Sequence, residues 1–325
     1  MVVAGVAIYL LVPTLLRVFS AFPRLFSLDA AWFSFALVAE VGHFACTFAL
    51  QRLALRTKGW LAVSTSTLVG NGITLIVPGG AAAGAAVQFR MLRTSGMDAA
   101  NTVSGLTTFS LLTVAGLLGL PIFALAASVV GVPINHGLFE AAVVGAVAFV
   151  LFVGFGIVLI TFDRPLAAIG RGGEWLWNHI ARRHPVIGVD RLLLRERDTM
   201  RGALGEKWRS AIEFTAGRLL LDYLCLLGMV RATGANPQWT LVLLAFAVAG
   251  VIGLVPITPG GLGIIEASLS GLLILAGMGA GDAFLATLAY RLASYWIPLF
   301  VSPFAYALFR WRYGPPAVES SGRLA

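Results

Sequence analysis

The sequence contains only two cysteines and no recognisable catalytic motif. Cys46 and Cys225 both lie in apolar segments and form neither a disulfide framework nor a metal-ligand spacing. A Ser-His-Asp arrangement, a nucleotide-binding glycine-rich loop and a zinc pattern are all absent. We therefore expect the cysteines to be packing residues, and the sequence predicts no metal and no cofactor.

Charged residues are also scarce. They make up 12% of the 325 residues, against 58% that are hydrophobic, and the mean hydropathy is +0.89. This composition excludes a soluble domain. Uncharged runs at 60–89, 99–139, 141–162 and 232–265 each exceed the roughly 20 residues that a spanning helix needs. The sequence thus predicts an all-α polytopic membrane protein with about six to eight transmembrane helices.

The net charge of +8 indicates topology rather than a nucleic-acid partner. Ten of the 23 Lys and Arg residues lie between positions 162 and 210, as is typical of a cytoplasmic loop beside anionic lipid. Trp175 and Trp177 are expected at headgroup level, and Arg191–Arg201 is expected to be a charged helix along the membrane. We expect a multi-pass protein of the plasma membrane with this loop and the C-terminus in the cytoplasm.

A single transmembrane domain is predicted over residues 1–312. Val2–Leu16 is expected to be a first membrane helix. A first repeat of about 31–161 is followed by the cytoplasmic loop 162–209 and a second repeat of about 210–312. Residues 313–325, with two prolines and small polar residues, are expected to be a disordered tail.

The segment Leu254–Glu266, reading LVPITPGGLGIIE, interrupts an apolar run with Pro259, Gly260 and Gly261. Proline lacks the amide donor of a helix and glycine carries the largest backbone entropy cost. In hydrocarbon such a break is tolerated only where protein or a water-filled cavity satisfies the freed backbone groups. A carboxylate at that depth is by default a functional-site hypothesis. The alternative is a turn at the membrane surface with Glu266 in water.

The run 60–89 contains a similar break. Asn71 precedes Pro78-Gly79-Gly80, and basic residues flank the run on both sides. This pattern predicts a re-entrant hairpin of two half-helices, and a single tilted span is the alternative. Gly-Met follows 18 residues after the proline in both segments, at Gly96-Met97 and at Gly277-Met278. The two breaks therefore predict inverted repeats that meet around a substrate site near the midplane of the membrane.

Further polar and small residues recur with the two breaks in a recognisable pattern: Asn71, Pro78-Gly79-Gly80, Arg90, Leu92, Gly96, Pro259-Gly260-Gly261-Leu262-Gly263, Glu266, Tyr290-Arg291-Leu292, Tyr295 and Pro298. With these residues, and over roughly residues 30–310, the sequence resembles the lysylphosphatidylglycerol synthase transmembrane family, the flippase-like membrane domain of the bacterial multiple peptide resistance factor. The resemblance implies movement of a lipid headgroup between leaflets. Members often carry an acidic residue after the first glycine pair, whereas Ala81–Val87 contains none.

Two pairs of polar residues are expected inside the membrane at helical spacing. Arg218 and Asp222 are four residues apart and share a helix face. A structural ion pair is favoured over a role in substrate binding. Glu40 and His43 are expected to be a polar pair at a helix contact, because a metal site would need further carboxylates.

Arg291 and Arg90 are the predicted contacts of a headgroup phosphate, because a guanidinium donates two parallel hydrogen bonds. Arg291 and Tyr295 share a helix face. Glu266 either faces a cationic headgroup or organises Arg291. Backbone amides after each Pro-Gly-Gly turn begin a helix, where an anion can bind. A snorkelling interfacial side chain is the alternative for Arg90.

The preferred hypothesis is a lipid transporter that moves a phospholipid or a polyprenyl-phosphate-linked lipid, with membrane lipids as its partners. An enzyme is not expected, because no catalytic motif and no soluble aminoacyltransferase domain are present. The alternative is a membrane-embedded transferase or an accessory subunit of cell-envelope lipid synthesis. A scaffold that holds a cytoplasmic partner through the loop 163–209 is a third hypothesis, and a homo-oligomer is also open.

Overall fold

The structure is a computed structural model. It describes residues 25–77, 80–128, 161–180, 207–254 and 258–314, with isolated positions between 140 and 159 and at 191, 194 and 197. Within these ranges the regular structure is entirely helical. The helices are α1 (Ala30–Ala54), α2 (Trp60–Ile76), α3 (Gly80–Thr94), α4 (Ala99–Ser128), α5 (Asp163–Ile180), α6 (Trp208–Ala232), α7 (Trp239–Gly253), α8 (Ile264–Leu275), α9 (Ala280–Arg291) and α10 (Ile297–Tyr313).

Three of the described segments are long and apolar enough to cross a membrane by length and composition: Ala30–Ala54, Ala99–Pro121 and Ala280–Tyr313. The last of these joins α9 to α10 through a π-helical turn at Leu292–Trp296. Helices α2, α7 and α8 are apolar but shorter. These features confirm the predicted all-α membrane fold. The predicted helix Val2–Leu16 and tail residues 315–325 lie outside the described residues.

The chain from α1 to α4 and the chain from α6 to α10 follow one order. In each, a long helix is followed by a short helix, a break, a second short helix and a long helix. The second short helix ends in the same way in both units. Gly96 (φ 94°) and Gly277 (φ 96°) are left-handed, and the amides of Met97 and Met278 donate to Leu92 O (3.2 Å) and Leu273 O (3.1 Å). Both ends are Schellman motifs, so the shared Gly-Met dipeptides have a structural cause.

Helices α1 and α6 occupy the same place in the two units, and they pack against each other in opposite directions. The Asp29 amide, before α1, donates to Ala232 O at the end of α6 at 2.9 Å. Gly228 packs on Ala36, and further along the pair Gly217 faces Cys46. Because sequence numbers rise along one helix as they fall along the other, the two helices are antiparallel.

Two further contacts between the units are reciprocal. Helix α2 packs on α10, where Gly72 leaves room for Ser302, and α7 packs on α4, where Gly250 faces Leu117. In both cases the first short helix of one unit lies against the last helix of the other unit. The helical core therefore requires both units.

Helices α2 and α3 form an antiparallel hairpin with a close backbone approach. The Thr74 hydroxyl lies 3.3 Å from Gly80 O near the break, and Gln88 Nε2 donates to Thr67 Oγ1 at 3.3 Å further along. A Cβ atom on Gly84 would collide with the Gly70 carbonyl and the Thr74 hydroxyl. Small residues thus allow the two helices of the first broken segment to pack side by side.

The second broken segment is also a helical hairpin, with a longer connection. Ile265 of α8 lies against Gly253 at the end of α7. A 3-10 turn at Pro259–Gly261 precedes α8, which begins at Ile264. The helix cannot begin earlier because Gly260, Gly261 and Gly263 are left-handed, with φ of 56°, 70° and 81°.

The loop between the units contains a helix that was not predicted, α5. Its Trp175 is exposed and stacks on His179 with ring centroids 5.6 Å apart. The Trp177 side chain lies outside the described residues. The predicted helix Arg191–Arg201 is described only at three positions, all helical, of which Arg197 pairs with Asp163 at 2.5 Å.

The antiparallel packing collects basic residues at one end of the bundle. This end contains the C-terminal ends of α1, α3 and α10 and the start of α6. The basic residues at this end are Arg52, Arg56, Lys58, Arg90, Arg93, Lys207, Arg209, Arg310 and Arg312. The carboxylates Asp98 and Glu213 lie at the same end, which we call the basic end. The opposite end contains Asp29, Arg231 and Asp282.

Candidate functional site

A buried ion pair joins α8 to the end of α9. Arg291 Nε donates to Glu266 Oε1 at 2.8 Å, and the two side chains are 8% and 9% exposed. Arg291 Nη2 donates to the carbonyl of Gly260 at 3.0 Å. The guanidinium carbon lies 4.3 Å from the centre of the Tyr295 ring. The structure therefore brings together four of the predicted site residues.

Glu266 has a second partner that fixes its orientation. Its Oε2 accepts a hydrogen bond from the Gly263 amide at 2.6 Å. Gly263 is the residue before α8 and Glu266 is the third residue of the helix, so the carboxylate caps the helix and lies at the positive end of its dipole. At the start of α8, where amides were expected to face an anion, the carboxylate takes up the Gly263 amide. Of the two roles expected for Glu266, the geometry favours the organisation of Arg291.

Tyr295 links this ion pair to the first broken segment. It is fully buried in the π-helical turn, and its hydroxyl donates to Leu75 O at 2.9 Å. Leu75 lies in the last turn of α2, where helical carbonyls lack a partner within the helix. π-helical turns occur frequently at functional sites, because the extra residue redirects the side chains that follow.

Gly260 lies where the two broken segments meet. A Cβ atom there would collide with the Tyr295 ring and would lie 3.0 Å from Leu75 O. Its φ of 56° is also unfavourable for other residues. Glycine is therefore required both by the backbone conformation and by the contact. At the first break, a Cβ on Gly80 would lie 2.6 Å from Thr74 O.

The predicted ion pair between Arg218 and Asp222 is not formed. Arg218 Nη1 donates to Thr113 Oγ1 of α4 at 2.7 Å, whereas Asp222 Oδ1 accepts from the Tyr290 hydroxyl of α9 at 2.7 Å. The two side chains share a face of α6, but helices on either side offer each of them a better-placed partner. His43 Nδ1 lies 2.9 Å from Arg218 O and 4.0 Å from Asp222 Oδ2. A second polar cluster, separate from the ion pair of Glu266 and Arg291, therefore consists of His43, Thr113, Arg218, Asp222 and Tyr290.

The other predicted residues lie outside the ion-pair site or beside it. Arg90 is exposed on α3, ten residues after Gly80 and therefore about 15 Å along the helix from the break. Asn71 is partly exposed on α2, one turn before Leu75. Pro259 and Gly261 belong to the 3-10 turn with Gly260. Pro78 and Gly79 lie outside the described residues.

Sequence reasoning missed three contacts of these clusters. Leu75 takes part through its main-chain carbonyl, which leaves no side-chain pattern. Thr113 resembles any other threonine of an apolar helix. Tyr290 had a usable signal, because it precedes Arg291 in the matching motif and a buried tyrosine hydroxyl usually needs a hydrogen-bond partner.

The helical bundle and its buried charged groups define a polytopic membrane protein with a polar interior. The family described as "Lysylphosphatidylglycerol synthase TM region" matches residues 2–302, so the chain belongs to that family. The resemblance found in the sequence is thereby confirmed. No curated protein matches the chain.

Proposed function

We propose that this protein is a flippase-like transporter that moves a lipid with a phosphate-bearing headgroup between leaflets. The observation that carries the proposal is the meeting of the two helix breaks at a buried ion pair. Broken helices at membrane depth occur where backbone groups line a substrate site or a cavity. Membership of a family named for lipid synthesis supports a lipid as the substrate.

Arg291 is the proposed phosphate contact. Its Nε and Nη2 donate to Glu266 and Gly260, while Nη1 makes no hydrogen bond with any residue that the structure describes. A phosphate oxygen would accept from Nη1, since arginine binds phosphate through several parallel donors. Glu266 would balance the guanidinium charge when no lipid is bound and would hold the side chain in place. Substrate binding then adds a phosphate oxygen to a guanidinium that Glu266 and Gly260 already hold in position, and no existing hydrogen bond has to break.

The antiparallel packing of α1 and α6 supports an inverted arrangement of the two units. Both ends of the hairpin α2–α3 lie at the basic end of the bundle, and both ends of the hairpin α7–α8 lie at the opposite end. Because basic residues are retained in the cytoplasm, we place the basic end inside. The two re-entrant hairpins would then enter from opposite sides and meet at Gly260 and Leu75, which lets the site be reached alternately from each leaflet.

Lipid movement can be measured with purified protein in vesicles that contain labelled lipids, using an impermeant quencher. The panel of lipids includes anionic and zwitterionic phospholipids and a polyprenyl phosphate. We expect the wild type to move at least one of them and Arg291→Gln to lose that activity. Arg312→Gln, at an exposed position near the end of α10, is the matched control and should retain it.

Two results would count against the proposal: a wild-type protein that moves none of these lipids, or an Arg291→Gln variant that moves them at the normal rate. A covalent change in the lipid, detected by mass spectrometry of the same vesicles, would favour the membrane-embedded transferase instead.

A further inference from the structure

The cluster around Asp222 contains a buried carboxyl group that the proposed transport site does not use. Glu40 of α1 is 6% exposed, and its Oε2 has no hydrogen-bond partner among the residues that the structure describes. An ionised carboxylate with an unsatisfied oxygen is costly in an apolar interior, and such a group normally gains a proton instead. Glu40 is therefore unlike Glu266, both of whose oxygens accept hydrogen bonds.

The cluster around Glu40 and Asp222 has one negative charge in excess. Helix α6 brings Asp222 and the Cys225 thiol to Glu40 and brings Arg218 to Asp222, and α9 contributes Tyr290. Arg218 is the permanently charged cation of this cluster. It can balance one carboxylate, and its Nε atom is buried with no hydrogen-bond partner in the described part of the chain. If Glu40 and Asp222 were both ionised, the cluster would hold an uncompensated charge, which one proton removes.

His43 is placed to exchange such a proton with the surroundings of the cluster. Its side chain is 13% exposed and that of Asp222 is 19% exposed, so both are more accessible than Glu40. His43 lies one helical turn from Glu40 on α1 and contacts α6 through Arg218 O. Imidazole is the side chain whose protonation ordinarily changes near neutral pH, which suits it to transfer between the surroundings and a buried acid.

We propose that Glu40, Asp222 and His43 form a proton-binding site, in which one proton resides on the Glu40 carboxyl and exchanges through His43. The proton moves from the Glu40 oxygen to an Asp222 oxygen, and from there to an imidazole nitrogen of His43, which lies 4.0 Å from Asp222 Oδ2. Each O–H bond that breaks is replaced by a new O–H or N–H bond. Tyr290, which donates to Asp222, directly precedes Arg291 on α9. A coupling between proton binding and lipid movement rests on the proposed transport function, whereas proton binding itself does not.

Infrared spectroscopy of the purified protein at neutral pH tests the site directly, because a protonated carboxyl has a carbonyl stretching band that a carboxylate lacks. We expect the wild type to show this band, Glu40→Gln to lose it, and Glu213→Gln, an exposed carboxylate of α6, to keep it. A wild type without the band, or a Glu40→Gln variant that retains it, would overturn the proposal.

If Glu40→Gln does not fold, Asp222→Asn replaces it. In the Asp222→Asn variant the cluster holds one carboxyl group, Glu40, and one arginine, Arg218. Glu40 should therefore ionise and the carbonyl band should disappear. A band that persists would overturn the proposal that Glu40 and Asp222 share one proton site. His43→Gln should keep the carbonyl band of Glu40. The rate at which this band changes after transfer to deuterium oxide or after a pH jump should fall by tenfold or more, and an unchanged rate would contradict proton exchange through His43. A vesicle assay in which no lipid moves would contradict the transport proposal but would leave these spectra unaffected.

Discussion

Removal of the Glu266 charge is the perturbation that most directly probes the buried ion pair. Glutamine at this position keeps the shape of the side chain but has a single acceptor oxygen, so it accepts from the Gly263 amide or from Arg291 Nε and not from both. The substitution therefore removes one hydrogen bond together with the negative charge beside a guanidinium that is 8% exposed. Breaking a buried pair by removal of one partner costs about 3–5 kcal/mol.

The lower end of that range applies here. In the Glu266→Gln variant Arg291 keeps its hydrogen bond to Gly260 O and its position over the Tyr295 ring, and both stabilise the remaining cation. We expect a loss of about 3 kcal/mol in the free energy of unfolding. The double variant with Arg291→Gln should lose less than the sum of the two single variants, because no charge is then left unpaired.

The assay is equilibrium unfolding in mixed micelles with increasing fractions of denaturing detergent. Glu213→Gln, at an exposed carboxylate of α6, is the control and should change stability by less than about 0.5 kcal/mol. The reasoning is refuted if Glu266→Gln matches this control, or if the effects of the two single substitutions simply add in the double variant.

Two further predictions concern the contact between the broken segments. Gly260→Ala should destabilise the protein by at least about 1–2 kcal/mol, because alanine disfavours the left-handed backbone at this position, and its Cβ would also collide with Tyr295. Gly271→Ala is the control and should not destabilise the protein, because a Cβ there meets no described atom within 4 Å. Equal thermal unfolding temperatures for these two variants would contradict the contact. Tyr295→Phe should cost about 1–3 kcal/mol, because Leu75 O is left without its donor. Tyr306→Phe is its control, and a Tyr295→Phe variant as stable as that control in the same assay would remove the link between the segments.

Much of the fold could be predicted from local sequence. The breaks at Pro78-Gly79-Gly80 and Pro259-Gly260-Gly261 interrupt apolar runs, and no long-range information is needed to recognise them. The Gly-Met dipeptides marked two equivalent helix ends because a Schellman motif is encoded by the few residues that form it. Periodicity also placed Arg291 and Tyr295 on one face, which the structure confirms.

The contacts between distant segments could not be read in the same way. Tyr295 reaches Leu75 across 220 positions of the chain, and no pattern in either segment specifies the other. The spacing of Arg218 and Asp222 correctly placed them on one face of α6, but an i, i+4 spacing does not determine partners once neighbouring helices offer a hydroxyl to each. The sequence left two roles open for Glu266, which could face a cationic headgroup or organise Arg291. The direction of its carboxylate is set by the turn at Gly263, which the sequence alone does not specify.

The central claim is that the two broken segments enter the membrane from opposite sides. It is tested most directly by labelling single cysteines at Arg90, near the end of α3, and at Asp282, in the first turn of α9, in a protein whose Cys46 and Cys225 are replaced by alanine. Both positions are exposed. In intact cells an impermeant thiol reagent should label position 282 from outside, and position 90 should react only after the membrane is opened. Labelling of both positions from the same side would contradict the inverted arrangement.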